Sequence, residues 1–131
     1  MIHIGKRSIS EFFQQLLTLN IITILFRFFS VHESPIKAIF NELFSIGKYP
    51  ATIKIKNKLK IKLYSFADFS TLNLVFCRED YYKPNKITFV IDIGSNIGIS
   101  CLYWFIDNPK CSIEAYEPST NNFKRLVKNL K

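Results

Sequence analysis

The sequence predicts an α/β fold built around one strand–turn–helix unit, with N-terminal helices and a β-hairpin ahead of it. Three stretches carry that reading. Ile87 to Ile93 is mostly apolar, with Asp92 its only charge, as expected of a buried parallel strand. Gly94 and Gly98 follow at once, and Ile99 to Ile106 then supplies about two turns of apolar helix. Upstream, Ile53, Ile55, Leu59, Ile61 and Leu63 alternate with Lys54, Lys56, Lys60 and Lys62, interrupted at Asn57-Lys58, which predicts a tight hairpin.

Taken in order, Met1 to Arg7 is short and basic and is expected to fray. Ser8 with Glu11 has the spacing of a capping box. Behind it Phe12, Phe13, Leu16, Leu17, Ile21, Ile24, Leu25 and Phe28 recur at helical spacing. Gln14, Gln15, Asn20 and Arg27 interrupt the stretch before it reaches the roughly 18 residues of a spanning helix. A helix packed on the domain is the first expectation, and an interfacial helix beside a membrane is the second, because Lys6, Arg7 and Arg27 flank its aromatic residues. His32 reads as a polar residue at this helix's end. After Pro35 a second helix runs to about Ile46 with Ile36, Ile39, Phe40, Leu43 and Phe44 inward, ended by Gly47 and Pro50. The hairpin's lysine face suits an anionic partner or a solvated edge that deters strand addition, and the residues do not choose between them. Asp68 to Glu79 reads as a helix with Phe69, Leu72, Val75 and Phe76 inward and Ser70 or Thr71 as cap. Tyr81 and Tyr82 precede a loop at Lys83-Pro84-Asn85. Asp107-Asn108-Pro109 ends the helix after the glycine turn, and Ser112 to Glu117 forms a second strand. A last helix from Pro118 and Ser119 carries Phe123, Leu126, Val127 and Leu130 on one face.

The chemistry concentrates at the turn. Glycine at 94 permits a sharp reversal, and glycine at 98 permits close approach of the helix to the strand or to a ligand. A carboxylate at the end of a buried strand needs a partner, so Asp92 is expected to face the site. Glu117, at the tip of the following strand, stands where dinucleotide folds place the acid that takes ribose hydroxyls. The dinucleotide pattern G-x-G-x-x-G fails, however, because Asn96 and Ile99 occupy its other two glycine positions. A ribose-bearing ligand with positive charge and no phosphate, S-adenosylmethionine, suits two acids better.

Val90-Ile91-Asp92-Ile93-Gly94-Ser95-Asn96-Ile97-Gly98, followed by Ala115-Tyr116-Glu117-Pro118, resembles the FkbM family of class I methyltransferases. The resemblance covers roughly the C-terminal two thirds. It implies a Rossmann-like class I methyltransferase fold, S-adenosylmethionine as cofactor, and a cofactor cup of Asp92, Gly94, Ser95, Asn96, Gly98 and Glu117. It also implies O-methylation of a sugar or natural-product hydroxyl, with a small-molecule or glycan acceptor, and a tyrosine such as Tyr81 or Tyr82 near the cofactor pocket. The full sheet implied has seven strands, of which this sequence holds the first two. The expectation is therefore an incomplete fold in three segments: 1–50 N-terminal helices, 51–86 hairpin and helix, and 87–131 the start of the cofactor domain. Such a chain is expected to be inactive by itself.

The formal charge of +8 favours anionic surfaces without naming one, and no nucleic acid is expected. The three cysteines, Cys77, Cys101 and Cys111, have neither metal-site nor redox spacing, so a reducing cytoplasm is the default. No metal site, catalytic base or oligomeric state is legible. The alternative function is a non-catalytic module whose N-terminal helix and basic hairpin bind a membrane surface or an anionic partner.

Overall fold

A computed structural model describes residues 3–4, 7–8, 21–55, 59–82 and 84–131, and these form a small α/β structure. The N-terminal segment expected to fray carries a short antiparallel ladder, β1 (His3–Ile4) with β2 (Arg7–Ser8). Residues 9–20 lie outside the described residues, and with them Glu11, the partner of Ser8 in the expected capping box, and the first part of the expected helix.

Helix α1 (Ile21–Val31) buries Phe28 and half-buries Ile24 and Val31, a stripe at i, i+4 and i+7. Leu25, expected on that stripe, is one helical step off it and is 39% exposed. Arg27 ties the helix to the chain beyond α3 through Glu79, 2.7 Å away. Helix α2 (Pro35–Phe44) starts on Pro35, whose fixed φ suits a first turn. It stops earlier than the glycine signal indicated, because Ser45 itself takes the left-handed position at φ 54°. Its inward face is also rotated from expectation. Ala38 and Asn41 are buried, whereas Ile36 and Phe40 are exposed. The reason is polar: Asn41 donates to the Tyr49 hydroxyl at 2.8 Å and accepts from the Gly47 amide, so the chain after the helix holds it inside.

Strands β3 (Ala51–Ile55) and β4 (Leu59–Leu63) pair antiparallel, with Ile53 opposite Ile61 and Ile55 opposite Leu59. Ile55, Ile61 and Leu63 are buried, so one face serves the core as the alternation requires. On the other face Lys54 stands directly opposite Lys60, a like-charge pair tolerated in water. The turn expected at Asn57-Lys58 lies outside the described residues. Helix α3 (Phe66–Phe76) starts before Asp68, and its cap is Ser65 rather than Ser70 or Thr71. The Ser65 hydroxyl accepts from the Asp68 amide at 3.1 Å, and Asp68 Oδ2 accepts from the amides of Ser65 (3.0 Å) and Tyr64 (2.7 Å). This capping box is worth about 1 kcal/mol. The inward set Phe69, Leu72, Val75 and Phe76 is buried as expected.

Strand β5 (Phe89–Ile93) and strand β6 (Ser112–Tyr116) pair in parallel, linked by helix α4 (Ile99–Asp107). Helix α5 (Thr120–Asn129) follows, capped by the Ser119 hydroxyl. The expectation that β5 is buried fails. Val90, Asp92, Ile113 and Ala115 lie on one face, and the other presents Phe89, Ile91, Ile93 and Tyr116 at 51–84% exposure. A parallel strand is buried only when helices cover both faces and strands flank it, and the described residues supply one neighbour strand. On α5, Leu126 is buried but Phe123 and Leu130 are exposed, so the helix buries less of its expected face. Phe28, Ile61, Leu72, Ile99 and Tyr103 belong to one core cluster, which therefore draws on all three segments. No described helix is long and apolar enough to cross a membrane.

Candidate cofactor-binding turn

The turn after β5 is closed by backbone bonds to the end of β6. The amides of Gly94 and Ser95 both donate to the Tyr116 carbonyl, at 2.8 and 3.0 Å, and the Gly98 amide donates to the Ser95 carbonyl at 2.8 Å. The Ser95 hydroxyl folds back onto the Asp92 carbonyl at 2.7 Å. Three residues take positive φ: Gly94 at 87°, Asn96 at 48° and Gly98 at 90°. Asparagine is among the few non-glycine residues that adopt this region readily. That is a physical reason for Asn96 between the two glycines.

The glycines differ in what they make room for. A side-chain carbon on Gly94 would have nothing within 4 Å, so this side of the turn is open. One on Gly98 would stand 3.4 Å from Leu130 and 3.6 Å from Leu126, so here the close approach is to α5 rather than to a ligand. Its φ still penalises any other residue.

Glu117 is drawn to the turn. Its Oε2 accepts from the Asn96 amide at 2.8 Å and its Oε1 from the Ser119 amide at 2.9 Å. The acid at the end of the second strand is thereby fastened to the middle of the glycine turn and to the start of α5. A carboxylate has about four acceptor positions, so each oxygen keeps capacity for a further donor.

Asp92 is placed differently from expectation. It is 7% exposed, on the covered face of the pair, and its Oδ2 accepts from the Ser100 hydroxyl at 2.5 Å and the Cys101 thiol at 3.2 Å. The carboxylate thus turns beneath the first turn of α4 instead of lying open beside the glycines. The bonds from Ser100 and Cys101 make its burial tolerable. Burial, then the bond to Asp92 and its charge, push the Cys101 thiol up to about 12, so it stays protonated and donates.

Asn129, which no sequence signal marked, joins this turn to the hairpin. Its amide accepts from the Lys62 N–H at 3.0 Å and donates to the carbonyls of Lys62 (3.2 Å) and Ile97 (2.9 Å). Tyr81 packs edge-on against Trp104, with ring centroids 5.7 Å apart, in the second half of α4, and Tyr82 is 85% exposed. The Tyr81–Trp104 contact does not involve the glycine turn. No group of three or more His, Cys, Asp or Glu among the described residues is arranged to hold a metal. No family model, curated protein or solved structure matches the chain.

Proposed function

We propose that this chain is the N-terminal, cofactor-binding portion of an S-adenosylmethionine-dependent methyltransferase of the FkbM type, with a Rossmann-like fold. A sugar or natural-product hydroxyl is the proposed acceptor. One observation carries the reading: the Glu117 carboxylate is fastened to the Asn96 amide beside a glycine, Gly94, whose other side is open. Two vicinal ribose hydroxyls are donors that suit the remaining acceptor positions of Glu117. Ser95 and Gly98 hold the turn in shape, and Asp92 braces it from below through Ser100. When bound, the cofactor supplies a methyl group on a sulfonium, and these residues bind and orient it. No residue here is assigned as a general base. The three free thiols suit a reducing cytoplasm.

Calorimetric titration of the folded chain with S-adenosylmethionine tests the reading. Glu117→Ala is expected to weaken binding at least ~10-fold, on the order of one or two charge-assisted hydrogen bonds. Equal affinity of wild type and variant sinks the site. Glu117 is a cleaner position than Asp92, whose removal also strips Ser100 and Cys101 of their acceptor.

A second reading, attachment of the N-terminal helix to a membrane surface, is favoured by Ile22 and Phe26 of α1, which are 77% and 74% exposed. Phe26→Asp is expected to abolish sedimentation with anionic vesicles. Unchanged sedimentation removes the helix as the anchor.

A further inference from the structure

A cleft of about 550 Å³ lies between α2 and β3, walled by His32, Lys37, Asn41, Lys48, Tyr49 and Ile53 among others. It is on the β3 side of the hairpin, whereas Asn129 joins the glycine turn to β4. Its volume falls within the range of small-molecule sites.

The polar groups around it are oriented by a chain of hydrogen bonds that runs into the core. Glu42 accepts from the Ser70 hydroxyl at 3.3 Å and from Asn73 Nδ2 at 2.9 Å. A carboxylate only accepts, so the Asn73 nitrogen faces Glu42 and its oxygen faces His32, 2.8 Å from Nε2. Nε2 therefore carries the proton. His32 is 2% exposed and lies between Phe28 and Phe69, with ring centroids 5.3 and 5.8 Å away. Burial holds its pKa below the ordinary 6.5, outweighing the raising effects of Asn73 and Glu42, so the ring is neutral at neutral pH. Nδ1 is then a bare acceptor.

No protein group among the described residues bonds Nδ1. No fully buried side-chain nitrogen or oxygen among them lacks a partner either. His32 is among the residues that line the cleft, which is therefore the side from which a partner for Nδ1 would come. Nearby, the Tyr49 hydroxyl accepts from Asn41 at 2.8 Å and keeps its own proton for donation, its pKa raised mainly by burial. Lys54 is shared with Glu33 at 3.7 Å, but Lys37 and Lys48 make no ion pair among the described residues. The first turn of α2 adds amides that the Ser34 side chain does not cap.

We infer that this cleft is a binding site, separate from the glycine turn, for a small anion bearing hydroxyl groups. His32 Nδ1 accepts from a ligand hydroxyl, Tyr49 donates to a ligand oxygen, and Lys37 and Lys48 take the phosphate or carboxylate. The two lysines set the sign of the ligand, and the imidazole acceptor selects a hydroxyl over a bare anion.

Long-range ¹H–¹⁵N spectra of the full chain read this directly, since it has only two histidines and a His3→Gln variant assigns them. Glucose 6-phosphate and gluconate are the probes, with glucose and inorganic phosphate as controls. Saturable movement of the His32 Nδ1 signal is expected with a probe, at an affinity roughly 10-fold or more above either control. Lys37→Gln with Lys48→Gln, both on the surface, is expected to weaken that binding by roughly 10-fold or more. The inference is overturned if neither probe moves Nδ1 saturably, if inorganic phosphate matches the probes, or if the double variant binds as wild type. S-adenosylmethionine affinity is independent of these outcomes, so failure here leaves the glycine-turn reading standing.

Discussion

Among the described residues, two pairs of five-residue strands meet their surroundings in opposite ways. In the hairpin, Ile61 and Leu63 are fully buried, and the lysines of the other face are at home in water. In the parallel pair, apolar residues point both ways, and Ile91 and Ile93 are left 56% and 84% exposed. The difference lies in the patterns themselves. Strict alternation specifies one dry and one wet face, whereas an apolar run specifies burial on both and needs a second layer to receive it. The parallel pair is nonetheless where the glycine turn sits, closed by bonds from Gly94 and Ser95 to the end of β6. The hairpin, in turn, packs against α3 and is bonded to Asn129 of α5 through Lys62.

Two substitutions sharpen this contrast. Leu72→Ala, on the helix under the hairpin, removes a fully buried side chain and is expected to destabilise by about 2–5 kcal/mol in denaturant melts. A loss below about 1 kcal/mol would mean that this core is looser than its burial indicates. Ile93→Lys is expected to change stability by less than about 0.5 kcal/mol, because the side chain already faces water. It should also lower binding of a hydrophobic dye, since it breaks up the bare face. A large stability loss would show that something covers that face in solution.

Much of the architecture was legible because it rests on local chemistry. The lysine alternation located the hairpin, and the spacing of Phe69, Leu72, Val75 and Phe76 located the buried face of α3. The positions of Gly94, Asn96 and Gly98 located the turn. The Ser65–Asp68 capping box also stands in the sequence as S-x-x-D, and it starts the helix ahead of the Asp68 that the apolar spacing suggests. Other features had no local signal. The inward rotation of α2 follows from Asn41 finding Tyr49 and Gly47 after the helix ends. His32 looked like a helix-end polar residue until Asn73, far along the chain, supplied its partner. Asn129 is one polar residue near the end of α5, and only the fold brings Lys62 and Ile97 to it.

The sequence by itself therefore determined most of the elements, their periodicity and the place of the glycine turn, because φ preferences and face alternation act over a few residues. Only the tertiary structure decided which way Asp92 points, what Gly98 approaches and which side of β5 is dry. Those depend on which distant groups share a site, and hydrogen-bond partners and buried faces are properties of neighbours in space.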